Sequence, residues 1–137
     1  MNCQIFNHIA DLGIIVKGPD IKTLFLFACR AMIDLMVSGE TGGKIISKDI
    51  EIEGDDYADL MVRWLGEILY LFNAENLTVN SIDILFISPN RIKSHLLLSP
   101  LDPEKQEILR EIKAVTYHQI SVRMIEKGWK AKVIFDI

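Results

Sequence analysis

Residues 20–35 read Asp-Ile-Lys-Thr-Leu-Phe-Leu-Phe-Ala-Cys-Arg-Ala-Met-Ile-Asp-Leu, and this stretch decides the layer architecture. Asp20 is a good N-cap, and apolar residues recur after it at the three- and four-residue spacing of a helix. The opposite face is also apolar, through Leu26, Phe27, Cys29 and Ile33. A helix that is apolar on both faces must be covered by other elements, so we predict that it is heavily buried.

A second helix and several strands follow from similar patterns. Gly54-Asp55-Asp56 is a capping sequence, and the helix that it opens carries a leucine and aromatic stripe and ends near Asn76. We predict a flexible connection at 38–43 and strands at 4–9, 12–18, 44–53, 78–87, 91–98, 110–117, 119–126 and 129–136. Because two helices cannot cover both faces of so many strands, the expected fold is α+β: a single domain spanning residues 1–137, a two-layer sandwich with two helices packed on a mixed, largely antiparallel sheet.

The composition is typical of one soluble domain. Half of the 137 residues are hydrophobic, which is enough for a single sizeable core. The longest apolar candidate, Leu24–Val37, is interrupted by Arg30 and Asp34, and no stretch reaches the ~20 apolar residues of a membrane span. The first residues lack the basic and apolar regions of a signal peptide. We therefore expect a cytoplasmic protein without membrane contact.

Charge and cysteine content argue against several classes of function. A net charge of −4 disfavours broad electrostatic binding of nucleic acid, so any link to RNA is expected to run through a partner protein. Cys3 and Cys29 form no CxxC pair, and no Cys/His set has the spacing of a zinc site. No Ser/His/Asp or Cys/His triad can be assembled from the spacing.

Two aspartates lie inside otherwise apolar segments, His8-Ile9-Ala10-Asp11-Leu12-Gly13 and Val133-Ile134-Phe135-Asp136-Ile137. A carboxylate in such a setting is costly to bury unless a cation or hydrogen-bond donors meet it. If the two segments pair as neighbouring strands, Asp11, Asp136 and the α-carboxylate of Ile137 can form an oxygen-only cage for a hard cation. The alternative is that Asp11 caps a turn and Asp136 is a solvated strand end.

Four further residues are candidates for supporting such a site or for contacting a partner. His8 supports a metal-bound Asp11 if the turn bends the two together, and is otherwise a packed histidine. Lys113 and His118 fall on opposite faces of one predicted strand. Lys113 either neutralises carboxylates or touches a phosphate, or it simply faces water. Asp34 lies late in its helix, where the helix dipole mildly disfavours an anion.

In order along the chain, these segments resemble the archease family. The matching strings are His8-Ile9-Ala10-Asp11-Leu12-Gly13, Ala31-Met32-Ile33-Asp34-Leu35-Met36, Trp64-Leu65-Gly66-Glu67-Ile68-Leu69-Tyr70-Leu71-Phe72, Leu101-Asp102-Pro103-Glu104, Glu111-Ile112-Lys113-Ala114-Val115-Thr116-Tyr117-His118 and Val133-Ile134-Phe135-Asp136-Ile137. The resemblance covers essentially the whole chain. Gly66 departs from it, since a larger polar residue such as asparagine is expected there.

The resemblance implies a two-layer α+β sandwich and a non-enzymatic role. Archease is expected to activate the GTP-dependent RNA ligase of tRNA splicing and RNA repair, by promoting guanylylation of the ligase and permitting multiple turnover. An older label makes the family a chaperone or modulator of a tRNA methyltransferase. The family's metal ligands carry over onto Asp11, Asp136 and Ile137. Oxygen ligands favour Ca²⁺ most, with Mg²⁺ or Mn²⁺ as alternatives.

Two other functions remain open on the residues alone. A small metal-dependent phosphoesterase would use the same carboxylates, but the sequence offers no clear general base beyond His8 or His118 and no basic groove for RNA. A general holdase chaperone would need a large exposed apolar patch, whereas the apolar residues fall on core-facing positions.

Overall fold

The computed structural model describes residues 1–7 and 11–137 of the chain. Within these ranges the elements, in chain order, are β1 (Asn2–Asn7), β2 (Asp11–Gly18), α1 (Ile21–Met36), β3 (Val37–Gly39), β4 (Ile46–Glu53), α2 (Tyr57–Glu75), β5 (Leu77–Ser88), β6 (Arg91–Pro100), β7 (Gln106–Ile108), β8 (Ala114–Val115), β9 (Ser121–Ile125) and β10 (Gly128–Asp136).

The strands form three sheets. A five-stranded sheet has the order β1-β2-β10-β8, with β9 also paired to β10; a three-stranded sheet has the order β4-β6-β5; and β3 pairs with β7. In the described ranges every one of these pairings is antiparallel. Both helices contact strands of the two larger sheets. The α+β class predicted from the sequence is therefore confirmed.

Helix α1 begins where its capping residue predicts. The Asp20 carboxylate accepts a hydrogen bond from the Thr23 N–H at 2.8 Å, which satisfies one of the free amides of the first turn. Helical spacing then places Leu24, Phe25, Ala28 and Met32 in the core, all fully buried. The predicted heavy burial of this helix is confirmed.

Helix α2 is capped at both ends and tied to α1. Asp56 accepts from the Asp59 N–H at 2.8 Å, and Asn76 ends the helix in the left-handed region, at φ 55°. The fully buried Trp64 donates its indole N–H to the Phe25 carbonyl of α1 at 3.1 Å. A buried indole needs such a partner, so this bond fixes how the two helices sit together.

The predicted flexible connection at 38–43 is partly wrong. Helix α1 runs directly into β3, which pairs with β7. Gly39 makes this close pairing possible: its φ is +102°, and a Cβ there would lie 2.1 Å from the Lys105 carbonyl oxygen. The pairing depends on a segment far along the chain, since Gly39 is opposite Gln106, and it leaves no local signature in the sequence.

The single strand predicted at 110–117 is also wrong. Only β8 (Ala114–Val115) forms in that region, and the preceding backbone is held by the helices instead. The Leu109 N–H donates to the Met36 carbonyl at 2.8 Å, and the Asn73 side chain donates to the Ile112 carbonyl at 2.9 Å. These contacts replace the strand ladder that alternation predicts.

The five-stranded sheet turns one face to the helices. The buried residues on that side are Leu12, Ile14, Val16, Ala131, Val133 and Phe135. Because side chains alternate along a strand, the residues between them point the other way, onto what we call the outer face. Asp11 and Lys17 lie there in β2, and Lys130 and Asp136 in β10.

Among the described helices, neither is long and apolar enough to cross a membrane.

Candidate metal centre

The two predicted metal-binding aspartates are partners across the antiparallel pair of β2 and β10. The register places Asp136 directly opposite Asp11. Residues directly opposite in an antiparallel pair share a face, with Cβ atoms about 4.5–5.5 Å apart. Their carboxylates therefore both project onto the outer face, Asp11 half-buried and Asp136 exposed.

This arrangement places two negative charges side by side. Like charges directly opposite destabilise a sheet. In the described ranges, no ion pair joins either carboxylate to a lysine, arginine or histidine. The donors are oxygen atoms only, which is the set that hard divalent cations prefer. The residues present therefore fit a cation such as Ca²⁺, which would offset the repulsion.

Ile137 follows Asp136 immediately and is held in place by packing. Its side chain is half-buried against the hydrophobic core. Its main-chain oxygens are thus kept at the same end of β10 as the Asp136 carboxylate. Asp11, Asp136 and Ile137 are the three expected ligands, and the structure brings them to one end of one strand pair.

Lys113 supports this end of β10 through its backbone. Its N–H donates to the Asp136 carbonyl at 2.7 Å, and the next residue, Ala114, pairs with Asp136. Since Ala114 shares the face of Asp136, alternation directs the Lys113 side chain to the opposite face. There it lines a cavity of about 370 Å³ with Tyr70 and Asn73 of α2.

Two of the remaining candidates, Asp34 and His118, are not brought to the aspartate pair. His8 lies outside the described residues. Asp34 lines a cavity of about 430 Å³ with Arg30 and Asn80. Asp34 also acts on Cys3 of β1: burial raises the pKa of the Cys3 thiol, and the negative charge of Asp34 raises it further. Cys3 pairs with Val16, well along β2 from Asp11.

His118 lies in the turn after β8. Its side chain is exposed, and its backbone N–H donates to the Thr116 hydroxyl at 3.3 Å. Thr116 in turn donates to the Ile134 carbonyl at 2.8 Å. The turn is therefore attached to β10 through threonine. Within residues 1–7 and 11–137, no three His, Cys, Asp or Glu side chains come close enough to hold a metal together.

The structure brings together one hydrogen-bonded trio that sequence spacing did not predict. His95 Nδ1 lies 2.5 Å from Asp49 Oδ1, and His95 Nε2 lies 3.1 Å from Ser47 Oγ. The trio follows from the β4–β6 register, in which Asp49 is opposite His95. It has the connectivity of a hydrolase triad, but the Asp49 side chain is 80% exposed, whereas the aspartate of such a triad is buried. We interpret the trio as a surface hydrogen-bond network.

A second network joins α2 to the loop before β9. The Tyr117 hydroxyl donates to Asp59 Oδ1 at 2.6 Å, while the Arg63 Nε donates to Asp59 Oδ2 at 2.9 Å. These bonds, that from Tyr117 first, hold the pKa of the Asp59 carboxyl below its usual value. The same contact raises the pKa of the Tyr117 phenol. Tyr117 belongs to the Lys113–His118 string, so part of that string has a structural role.

Comparison with known sequences identifies the family of this chain. A model of the archease protein family matches residues 4–137. The chain belongs to the archease family. It is 30% identical over 136 residues to the protein archease of Pyrococcus furiosus, with 96% of each chain covered. It is 30% identical over 139 residues to the protein archease of Archaeoglobus fulgidus, with 100% of each chain covered.

Two solved structures resemble this archease family member in fold. The solution structure of Methanobacterium thermoautotrophicum protein 1598 gives a TM-score of 0.71 at 24% identity, with 98% of each chain covered. The crystal structure of an archease from Thermotoga maritima, described as a possible chaperone, gives a TM-score of 0.67 at 20% identity. It is matched over 96% of this chain and 94% of that one. At these identities the likeness supports the shared α+β fold.

Proposed function

We propose that this protein is a non-catalytic activator of a GTP-dependent RNA ligase in tRNA splicing and RNA repair. It would promote guanylylation of the ligase and permit multiple turnover. The observation that carries the proposal is the register of Asp11 against Asp136, which sets two carboxylates side by side on the outer face. Family membership supports the same role.

The chain's own residues would hold a cation and present it to the partner. Asp11 and Asp136 would supply carboxylate oxygens, and Ile137 a main-chain oxygen. When bound, a divalent cation neutralises the negative charge of phosphate oxygens. Because the pair lies on the outer face and the Asp136 side chain is exposed, a ligase active site can approach it directly. The backbone bond from Lys113 to Asp136 keeps the strand end fixed while it does so.

A single-turnover guanylylation assay tests the proposal. The ligase is mixed with GTP and Mn²⁺ or Mg²⁺, with and without this protein, and formation of the ligase–GMP adduct is followed. We expect wild-type protein to accelerate adduct formation, and Asp11→Asn and Asp136→Asn each to abolish most of the acceleration. Asparagine keeps the shape of the side chain and removes only its charge.

Asp83→Asn is the matched control. Asp83 is also an exposed strand aspartate, but it lies opposite His95 in the three-stranded sheet. This variant should accelerate guanylylation as well as wild type does. Equal acceleration by Asp136→Asn and wild type would overturn the assigned site, and no acceleration by wild type would overturn the function.

A second candidate function is that of a chaperone or modulator of a tRNA methyltransferase. The description of the Thermotoga maritima structure as a possible chaperone favours it. This role needs no cation, so Asp136→Asn should retain it. The discriminating measurement is the aggregation and the site selectivity of the methyltransferase in the presence of wild type or Asp136→Asn. This candidate would be favoured if both proteins suppress aggregation of the methyltransferase equally and wild type does not accelerate guanylylation of the ligase.

A further inference from the structure

A row of basic side chains crosses the outer face at the end of the sheet away from the aspartates. The register places Lys17 of β2 opposite Lys130 of β10, and Lys130 opposite Arg123 of β9. Residues directly opposite share a face, so the three cations lie side by side across three neighbouring strands. We call Lys17, Lys130 and Arg123 the basic row. Asn2 of β1 extends it, since Asn2 is opposite Lys17.

The basic row has no internal charge compensation. In the described parts of the chain, none of its three members is within ion-pair distance of a carboxylate. Lys17 and Arg123 are exposed, and Lys130 is half-buried. Like charges directly opposite destabilise a sheet, so the row costs stability unless an anion lies over it.

The adjacent row carries hydrogen-bond donors and no carboxylate. Here Gln4, Ile15, Lys132 and Ser121 lie opposite one another in turn. The Lys132 ammonium donates to Gln119 Oε1 at 2.6 Å and lies 5.3 Å from the centre of the Phe6 ring. Lysine, arginine, asparagine, glutamine and serine are the side chains that contact nucleic-acid phosphates.

We infer that this surface binds the phosphate backbone of single-stranded RNA. The choice of RNA over an acidic protein rests on the proposed function and on the chemistry of the two rows. Protein interfaces depend on buried aromatic or aliphatic anchors, whereas binding to a phosphate backbone is carried mainly by lysine and arginine, with polar side chains beside them. The net charge of −4 is a sum over the whole chain, and it does not describe this end of the outer face, where Lys17, Lys130, Lys132 and Arg123 lie together.

The position of the row is compatible with the proposed role at the ligase. Lys130 and Asp136 lie near opposite ends of one strand, which corresponds to a separation of roughly 20 Å at about 3.3 Å per residue. RNA held on the basic row would lie beside a ligase docked at the aspartates and would not block it. Contact with RNA would then be direct, in contrast to the indirect contact expected from the net charge.

Fluorescence anisotropy of a labelled single-stranded oligoribonucleotide tests the inference, with this protein alone and no ligase. The test variant is Lys17→Gln/Arg123→Gln/Lys130→Gln. The control variant, Lys22→Gln/Lys44→Gln/Lys105→Gln, removes the same number of cations from exposed positions elsewhere and has the same net charge. Binding is measured between about 50 and 200 mM salt, because the number of neutralised phosphates sets the salt dependence.

We expect the row variant to bind at least tenfold more weakly than wild type. Its log–log salt slope should be flatter by about two, because each phosphate that is no longer neutralised reduces the slope by ~0.7. The control should stay within about threefold of wild type. No binding by wild type, or equal weakening in both variants, would overturn the inference. Tighter binding of an oligoglutamate of equal length would overturn it in favour of an acidic protein.

The RNA-binding measurement and the guanylylation assay test the two proposals independently. The row variant should accelerate guanylylation normally in the absence of RNA, and Asp136→Asn should bind RNA normally. Failure of the proposed function appears as unchanged guanylylation with Asp136→Asn, whereas failure of the RNA inference appears only in the anisotropy.

Discussion

Asp11 and Asp136 face each other across β2 and β10, on the side of the sheet that is turned away from the helices. In the described ranges, no lysine, arginine or histidine is paired with either of them. Such a pair is a source of repulsion in the metal-free protein, and the cation site that we propose there would turn it into a source of stability once a divalent cation is present. Repulsion lowers the free energy of unfolding and cation binding raises it, so stability measurements with and without cation can separate the two effects.

Replacing either aspartate with asparagine should stabilise the protein without cation and remove its response to cation. Repulsion between direct cross-strand partners is worth about 0.2–1 kcal/mol, so the free energy of unfolding of metal-free Asp136→Asn should rise by that amount. Adding Ca²⁺ should raise the melting temperature of wild type, since a ligand that binds only the folded state stabilises it. Ca²⁺ should raise the melting temperature of Asp136→Asn much less.

The same melting experiment gives the outcome that would contradict this prediction. Equal Ca²⁺ responses of wild type and Asp136→Asn would show that this strand end is not a cation site.

Local signals predicted the helices and their starts, because capping is a local interaction. Asp20 and Asp56 both accept the backbone hydrogen bond expected of an N-cap. The pairing of the Asp11 segment with the Asp136 segment was a hypothesis from the sequence, since each carries one costly carboxylate, and the register confirms it. What that pair binds stays a prediction.

Other features that depend on the register between distant strands could not be predicted, because no costly carboxylate in an apolar segment marks both partners. The Ser47–His95–Asp49 network needs β4 and β6 in one specific alignment. The basic row needs three strands aligned, so that Lys17, Lys130 and Arg123 coincide. A shift of one residue in any strand would move its side chains to the other face, and nothing local in the sequence fixes that alignment.

Gly66 gives a prediction about stability. It lies inside α2, and a Cβ added there would meet no atom within 4 Å. Alanine is favoured over glycine in a helix interior by about 0.5–1 kcal/mol, so Gly66→Ala should raise the free energy of unfolding by that amount in urea denaturation. Gly39→Ala is the contrasting control and should destabilise the protein, because of its φ of +102° and the nearby Lys105 carbonyl. A decrease with Gly66→Ala would show that the space beside it is needed.

Cys29 should be protected from thiol reagents. Its side chain is fully buried, and burial raises the pKa of its thiol to about 12. The reactive thiolate is therefore scarce in the folded protein, and labelling should wait for unfolding. Cys3 is half-exposed and should be labelled first. A disulfide reagent should give two phases, with the slow phase absent in Cys29→Ala; rapid labelling of both thiols in the native state would contradict this.

The same pKa predicts how stability depends on alkaline pH. The unfolded thiol ionises near its ordinary pKa of about 8.5, whereas the folded thiol stays protonated until far higher pH. Because the folded pKa is the raised one, the contribution of Cys29 is complete below pH ~8.5 and declines as the pH rises towards the folded value. Cys29→Ala should therefore show a smaller decrease in stability between pH ~8 and ~10 than wild type does, in parallel urea titrations.

The bond from Tyr117 to Asp59 predicts a stability difference confined to a pH window. Tyr117→Phe removes the hydrogen bond that most lowers the pKa of the Asp59 carboxyl. A carboxyl with a depressed folded pKa stabilises the protein above its unfolded pKa of about 3.9, and this contribution disappears as the pH falls through the folded value. A phenol with a raised folded pKa stabilises it below about pH 10, and this contribution disappears as the pH rises through the folded value.

Wild type should thus be more stable than Tyr117→Phe between pH ~4 and ~10, and the two should converge on either side. The measurement is the urea midpoint of both proteins across this range. Tyr70→Phe is the control: Tyr70 is 54% exposed on α2 and makes no hydrogen bond through its hydroxyl within the described residues, so its variant should track wild type at every pH. Equal urea midpoints of wild type and Tyr117→Phe at every pH would contradict this prediction, because phenylalanine keeps the ring and removes only the hydroxyl that bonds Asp59.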